Sequence, residues 1–405
     1  MSNLMDYMEW RGDVSFSGSR FNEVDNVILA VTSHNNFEDI VPSDPGGQPV
    51  SFLSAMKALV KKPEDEQYLG LLMTDSFAGI SRMAAKCPRF SHLKLVGFVN
   101  ELDEEKIMQF AAVTFILPDN SIYVSYRGTD DTIVGWKEDL RLSFKTPLPA
   151  HQKAAEYLES VASALDGKIR VGGYSKGGNL AMWAASHCPE SVRDRILVVY
   201  NNDGPGFLPE VLKEPSYTAV ADRIVTYIPQ SSVIGGLLER GPICRIVKSN
   251  ESGIMQHDPL SWEVLGPNFV HLEKRSRFGE HTEEALRKWI YAMTIEEREQ
   301  FTDMIFSIID QTGAKTLTDL NESKLKNFNI IMKSLLSLDR ENRAKMSRLM
   351  KVLLIGAKDE GAKKPLVQER PDQKDITSND KDGKNLVITR EGELLIKFLV
   401  PDDDN

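Results

Sequence analysis

Ile169-Arg-Val-Gly-Gly-Tyr-Ser-Lys-Gly-Gly-Asn-Leu-Ala181 is the stretch on which the fold of this chain turns. Residues 169 to 173 read as a strand and residues 176 to roughly 187 as a helix, with the pentapeptide Gly173-Tyr174-Ser175-Lys176-Gly177 between them. A strand that turns at once into a helix leaves no room for side chains beside its middle residue, so a GxSxG pattern suits a nucleophile elbow. Ser175 is then expected at the C-terminal edge of a sheet, where the dipole of the following helix favours negative charge. An ordinary glycine-rich turn fits the same residues, but strand, motif and helix stand in the order that an elbow requires.

Working outward, Gln109 to Leu117, a turn at Pro118-Asp-Asn120, and Ser121 to Tyr126 predict two strands joined tightly. A helix over roughly 150 to 165 and strands at 196 to 200 and 224 to 228 follow. This alternation predicts an α/β protein, with a mostly parallel central sheet covered on both faces. Residues 282 to about 356 carry apolar positions at helical spacing, with Thr294 and Glu297 placed as a capping box. Residues 357 to 384 are too poor in apolar side chains to offset the entropy of ordering, and Asn385 onward resembles a small hairpin. The expected division is an α/β domain over 1–285, a helical region over 286–356, a flexible linker over 357–384 and a tail hairpin over 385–405.

Composition narrows the function. The 405 residues include 49 Lys and Arg against 59 Asp and Glu, a net charge of −10, with no long basic block. Nucleic acid is therefore excluded as the main ligand, because phosphate binding needs a concentrated basic surface. Cys87, Cys188 and Cys244 are odd in number and form no CxxC pair, which argues for reduced thiols and against a zinc site. The first residues hold no signal-peptide core, and the longest aliphatic runs are strand-length, so no integral membrane segment and a cytoplasmic location are expected.

A serine hydroxyl becomes a nucleophile only when a base accepts its proton. The expected chain order of serine, acid and histidine sets aside His34, His92 and His151, and His187 lies one helix past the serine. Of His257, His271 and His281, His257 sits in a loop after the last sheet strand, while His281 falls near a helix start. Asp203, in Asn201-Asn-Asp-Gly-Pro-Gly206, follows the next strand and is the favoured acid, although Asp-Gly is also a common turn. Asp258 adjoins His257 but neighbours in an extended loop point apart, and Asp222 precedes its strand. Oxyanion donors are expected from the Lys176 amide and from Thr129 in Tyr126-Arg-Gly-Thr-Asp130, a segment that reads equally well as a plain strand-ending loop.

Val124-Ser-Tyr-Arg-Gly-Thr-Asp130, Gly135-Trp136 and Gly173 to Gly178 resemble the class 3 (fungal-type) lipases. Together with Tyr7 to Asp13, Asn202 to Phe207, Gln230 to Val233 and Gln256 to Pro259, they look like a bacterial family of largely uncharacterised α/β-hydrolase-fold proteins related to those lipases, over roughly residues 5 to 290. The resemblance implies Ser175 as nucleophile, His257 as base, and Thr129 with Lys176 around the oxyanion. It departs at two places. Where class 3 lipases carry the acid, this chain has Pro229-Gln-Ser-Ser232, so either Asp203 serves or the triad is degenerate, and Lys176 stands where an apolar residue is usual.

The expected activity is hydrolysis of carboxylic esters, esterase- or lipase-like, on a small-molecule acyl substrate, with no metal or organic cofactor. Thioesterase or peptidase chemistry would use the same residues. Residues 233 to 247 read as an acyl pocket or lid, or as packing over the sheet edge. A different class of function is an inactive α/β-hydrolase scaffold whose C-terminal helical region binds a partner protein.

Overall fold

The computed structural model describes residues 2–67, 74–322, 324–344 and 346. Among them a nine-stranded sheet runs β1 (Val50–Ser51), β2 (Lys94–Asp103), β3 (Met108–Ile116), β4 (Ile122–Tyr126), β5 (Ile169–Tyr174), β6 (Ile196–Asn202), β7 (Ile224–Pro229), β8 (Ile243–Val247) and an edge strand His271–Leu272. The chain is an α/β protein.

The sheet is mixed rather than mostly parallel. β4 to β8 are parallel, whereas β1 to β4 and the His271–Leu272 edge pair antiparallel. Between β2, β3 and β4 the reason is connection length: the few residues joining these strands can only reverse the chain, while a parallel neighbour needs a crossover of a dozen or more. β8 lies within residues 233 to 247, so the last third of the segment read as a pocket or lid is a strand of the sheet itself.

β3 and β4 are buried almost throughout, which requires cover on both faces. On one face α5 (Pro149–Ala164) and α6 (Lys176–His187) pack Leu158, Val161, Leu180 and Trp183 against Val124, Val171 and Val199. On the other, α2 (Glu23–Thr32) lays Val27, Ile28 and Val31 among Phe115, Tyr123 and Tyr174. The start of α2 is set by a capping box, in which Asn22 accepts from the amides of Val24 and Asp25 while Asp25 accepts from Asn22 N–H.

Register positions the site. Tyr126 pairs with Gly173, and Tyr174 with Asn202, so β4, β5 and β6 end level with one another. The loops that open with Arg127, Ser175 and Asp203 therefore emerge side by side at one rim.

Helices Arg277–Tyr291, Ile295–Asp310, Leu317–Glu322 and Lys324–Ser337 follow. Ser276 caps the first, whose start precedes His281 by a full turn, and Thr294 with Glu297 forms the capping box of the second. Arg298 ties the second helix to the body by donating to the carbonyls of Ile290 (2.8 Å) and Ser143 (2.6 Å). The described residues up to Leu335 form one compact unit, and position 285 falls inside the Arg277–Tyr291 helix. The expected linker 357–384 and hairpin 385–405 lie outside the described residues. No helix among the described residues is long and apolar enough to cross a membrane.

Candidate active site

Ser175 occupies the turn between β5 and α6 with φ 57° and ψ −133°, a left-handed conformation that is costly for a residue with a side chain. It is held there because its N–H donates to Asn202 O at 2.9 Å. The surrounding chain is so close that glycine is obligatory. A β-carbon on Gly177 would stand 2.1 Å from Tyr126 O, and one on Gly128 would stand 2.7 Å from Tyr174 O and 3.1 Å from Ser175 Cβ. The Arg127–Thr129 loop thus lies directly against Ser175, at the exposed end of the strands.

Asp203 and His257 meet beside it. The fully buried Asp203 also has positive φ, 50°, and its N–H donates to Tyr227 O at 2.8 Å. Its Oδ2 is 2.7 Å from His257 Nδ1, and its Oδ1 accepts from Ser232 Oγ at 2.6 Å. A carboxylate only accepts, so Nδ1 carries the ring proton and Nε2 bears the lone pair that a general base needs. The loop is anchored at the same point, with Tyr174 OH donating to His257 O at 2.7 Å and Trp262 Nε1 to Gln256 O at 2.9 Å. Gln256 Oε1 in turn accepts from Ser231 N at 2.7 Å, which joins the Gln230-Ser-Ser and Gln256-His-Asp segments. Among the described residues the Ser175 hydroxyl forms no hydrogen bond, to His257 or elsewhere.

The competing residues are occupied elsewhere. Asp258 caps the next turn through Leu260 N (2.9 Å) and accepts from Ser76 Oγ (2.6 Å). His271 pairs with Glu23 at 2.7 Å, and His281 is exposed on its helix. Asp222 lies in the short 3₁₀ turn that precedes β7. His151 is fully buried between Leu148 N and Asn179 Oδ1.

Neither the Thr129 nor the Lys176 amide has a partner among the described residues. The two N–H groups flank Ser175 from the adjoining loop and from the helix start, an arrangement suited to an oxyanion. Their side chains point away from that role. Thr129 Oγ1 donates to Asp139 Oδ2 at 2.5 Å, and burial pushes the Asp139 carboxyl up to about 6 against the opposing charge of Lys176. The Lys176 ammonium is inside the protein, donating to Glu138 Oε2 (2.9 Å), Gln109 O (3.0 Å) and Gln109 Oε1 (2.6 Å). Lysine in place of an apolar residue therefore leaves the mouth of the site unchanged in charge, because its stem fills the core and its charge is paired below the loop.

Sequence reasoning missed Ser232, Asp139 and Glu138 as supports of these groups. Ser232 lies in the Pro229-Gln-Ser-Ser232 segment, where the resemblance to class 3 lipases would put the acid, and here it donates to Asp203 at the end of the neighbouring strand. Only the invariable need of a buried carboxylate for a second donor signals such a residue, and that need does not name a position.

Two solved lipases share local resemblance with this chain. The Rhizomucor miehei lipase propeptide complex aligns at 16% identity and a TM-score of 0.30, over 45% of this chain and 63% of that one. The chain thus spans just under two thirds of that lipase's length. M37 lipase aligns at 11% identity and a TM-score of 0.30, over 52% of this chain and 67% of that one. No curated protein matches. The model of the Mbeg1-like family matches residues 84–307, more than half of the sequence and the whole span from β3 through the Arg127 loop, Ser175, Asp203 and His257, and the chain belongs to the Mbeg1-like family.

Proposed function

We propose that the chain is a serine hydrolase of α/β-hydrolase type that cleaves carboxylic esters through Ser175, His257 and Asp203. The observation that carries the reading is the 2.7 Å contact between Asp203 Oδ2 and His257 Nδ1 at the rim where Ser175 is held with φ 57°. In this mechanism His257 Nε2 takes the hydroxyl proton as Ser175 Oγ attacks the acyl carbon. The carbonyl oxygen becomes an oxyanion held by the amides of Thr129 and Lys176. Asp203 stabilises the imidazolium, which returns its proton to the leaving alcohol as the C–O bond breaks. Water, deprotonated by the same nitrogen, then releases the acid from the acyl-enzyme.

The test is reaction with a fluorophosphonate and turnover of p-nitrophenyl esters. Wild-type protein should be labelled at Ser175, and Ser175→Ala should lose on the order of 10⁴-fold or more in turnover with an unchanged circular dichroism spectrum. Undiminished turnover in that variant, or no labelling of the wild type, rejects the reading and leaves an interaction scaffold in its place.

A further inference from the structure

His34 follows α2, and chain order removes it from any triad, yet the structure brings it to the same rim. Its segment is rigidly held: His34 N–H donates to Val31 O (3.1 Å), and Asn35 Nδ2 donates to Thr32 O (2.7 Å) and Ser81 Oγ (3.0 Å). The residue is 6% exposed, with its ring against Phe77 at 4.7 Å between centroids. Nδ1 lies 3.2 Å from Val31 O. A carbonyl only accepts, so Nδ1 carries the proton and Nε2 bears a lone pair. Burial and the nearby Arg127 charge push the ring down to about 3, which keeps it neutral.

That lone pair has no partner among the described residues. It lies 3.4 Å from the point where a β-carbon on Gly128 would stand, the same point that is 3.1 Å from Ser175 Cβ. The side chain is nine-tenths buried, yet its unpartnered acceptor is not among the atoms closed off from solvent, so it stands beside the serine and the oxyanion loop within reach of a donor on a bound molecule. It would not suit the oxyanion itself, since a lone pair repels negative charge.

We propose that His34 Nε2 is a specificity-determining acceptor that selects acyl groups bearing a hydroxyl or amide N–H close to the scissile carbonyl. The inference rests on the hydrolase reading of Ser175. Of the three substituents on the attacked carbon, the oxygen is taken by the Thr129 and Lys176 amides and the leaving group must face His257. The acyl chain is the one left to meet His34. A site built around a polar contact discriminates against the analogue that lacks the donor, because the acceptor then stays unpaired.

The experiment compares kcat/KM for p-nitrophenyl 3-hydroxybutyrate and p-nitrophenyl butyrate in the wild type, His34→Leu and His34→Gln, with fluorophosphonate labelling of each protein. The wild type should prefer the hydroxy ester by on the order of tenfold. His34→Leu should bring the ratio close to one, while His34→Gln, whose amide oxygen restores an acceptor at similar reach, should keep most of it. A wild-type ratio near one with Ser175 normally labelled overturns this inference and leaves the hydrolase reading standing, as does an unchanged ratio in His34→Leu. Absence of labelling in the wild type overturns both. Should the leucine variant not fold, the wild-type ratio and the glutamine variant decide the matter.

Discussion

The Thr129 hydroxyl donates its hydrogen bond to Asp139, and that leaves the backbone N–H as the donor without a partner among the described residues. The carboxylate that does this is itself under stress, buried with one oxygen unpartnered and pushed up to about 6 from 3.8. The folded protein therefore retains a proton that the unfolded chain has already lost, and the associated stability is complete below 3.8 and lost as pH rises through about 6. A shift of that size corresponds to roughly 3 kcal/mol. Asp139→Asn keeps an acceptor for Thr129 but cannot ionise. Its stability relative to wild type should thus improve by up to roughly 3 kcal/mol between pH 4 and pH 7.5. Urea unfolding of both proteins across that range measures the difference, and a difference that stays flat contradicts the argument. At this scale the sequence made Ser175 legible, because GxSxG between a strand and a helix encodes crowding that only glycine tolerates. It could not make His34 or Ser232 legible: a lone histidine after a helix and a serine in a turn carry no periodicity, and only the folded rim brings them to Ser175 and Asp203.

Three elements are joined below the site by one buried ion pair. Lys176 begins α6, Glu138 belongs to α4 (Ile133–Arg141), and Gln109 lies on β3; both charged groups are at most 1% exposed. Glu138 also accepts from the amides of Gln109 (3.1 Å) and Ala150 (3.3 Å), so its carboxylate gathers strand, helix and the start of α5. Removing one partner of such a pair strands the other charge, and Lys176→Met should lower the unfolding free energy by roughly 3–5 kcal/mol. Adding Glu138→Gln should recover part of that loss, because the neutral amide removes the stranded charge, while its single oxygen keeps one of the two accepted bonds, from Gln109 N or from Ala150 N. Strictly additive losses in a double-mutant cycle by urea unfolding would show that the pair is not coupled. Elements whose pattern is plain were readable within a residue or two, including the β3–β4 hairpin, α5, β5 and α6. The N-terminal helix α2 was not, for a physical reason. All ten of its residues are buried, and its polar positions are satisfied internally, Asp25 by Arg89 at 2.5 Å and Glu23 by His271. The polar face that marks an amphipathic helix is therefore missing from the sequence. The mixed sheet was missed because strand pairing depends on connections whose reversal only becomes evident once β2, Lys94–Asp103, is recognised.

Across the whole molecule, two neutral histidines are largely buried on opposite faces of the sheet. His34 stands at the end of α2, and His151 in α5 stacks on Trp183 with 4.6 Å between ring centroids. Burial pushes them down to about 3 and about 4 from 6.5. For a base held neutral in the fold, the stabilising contribution is full above 6.5 and is lost as pH falls toward the depressed value, since only the unfolded chain takes up the proton. At pH 5 each histidine accounts for a loss of roughly 2 kcal/mol. Asp139 opposes this by about 1 kcal/mol over the same interval, because its proton is taken up by the folded state. Glu23, held below its ordinary value by His271 and the Phe269 amide despite its burial, adds a loss in the histidine direction at still lower pH. The net expectation is a fall of roughly 3 kcal/mol in unfolding free energy from pH 7 to pH 5, in a range where surface carboxylates remain ionised. Urea midpoints at half-unit pH steps measure it, and His34→Leu should remove roughly half of the histidine contribution while leaving the high-pH plateau its own value. A wild-type stability that rises on acidification over this range would mean that neither ring is held neutral by the fold, and would remove the unprotonated His34 nitrogen from the rim of the site.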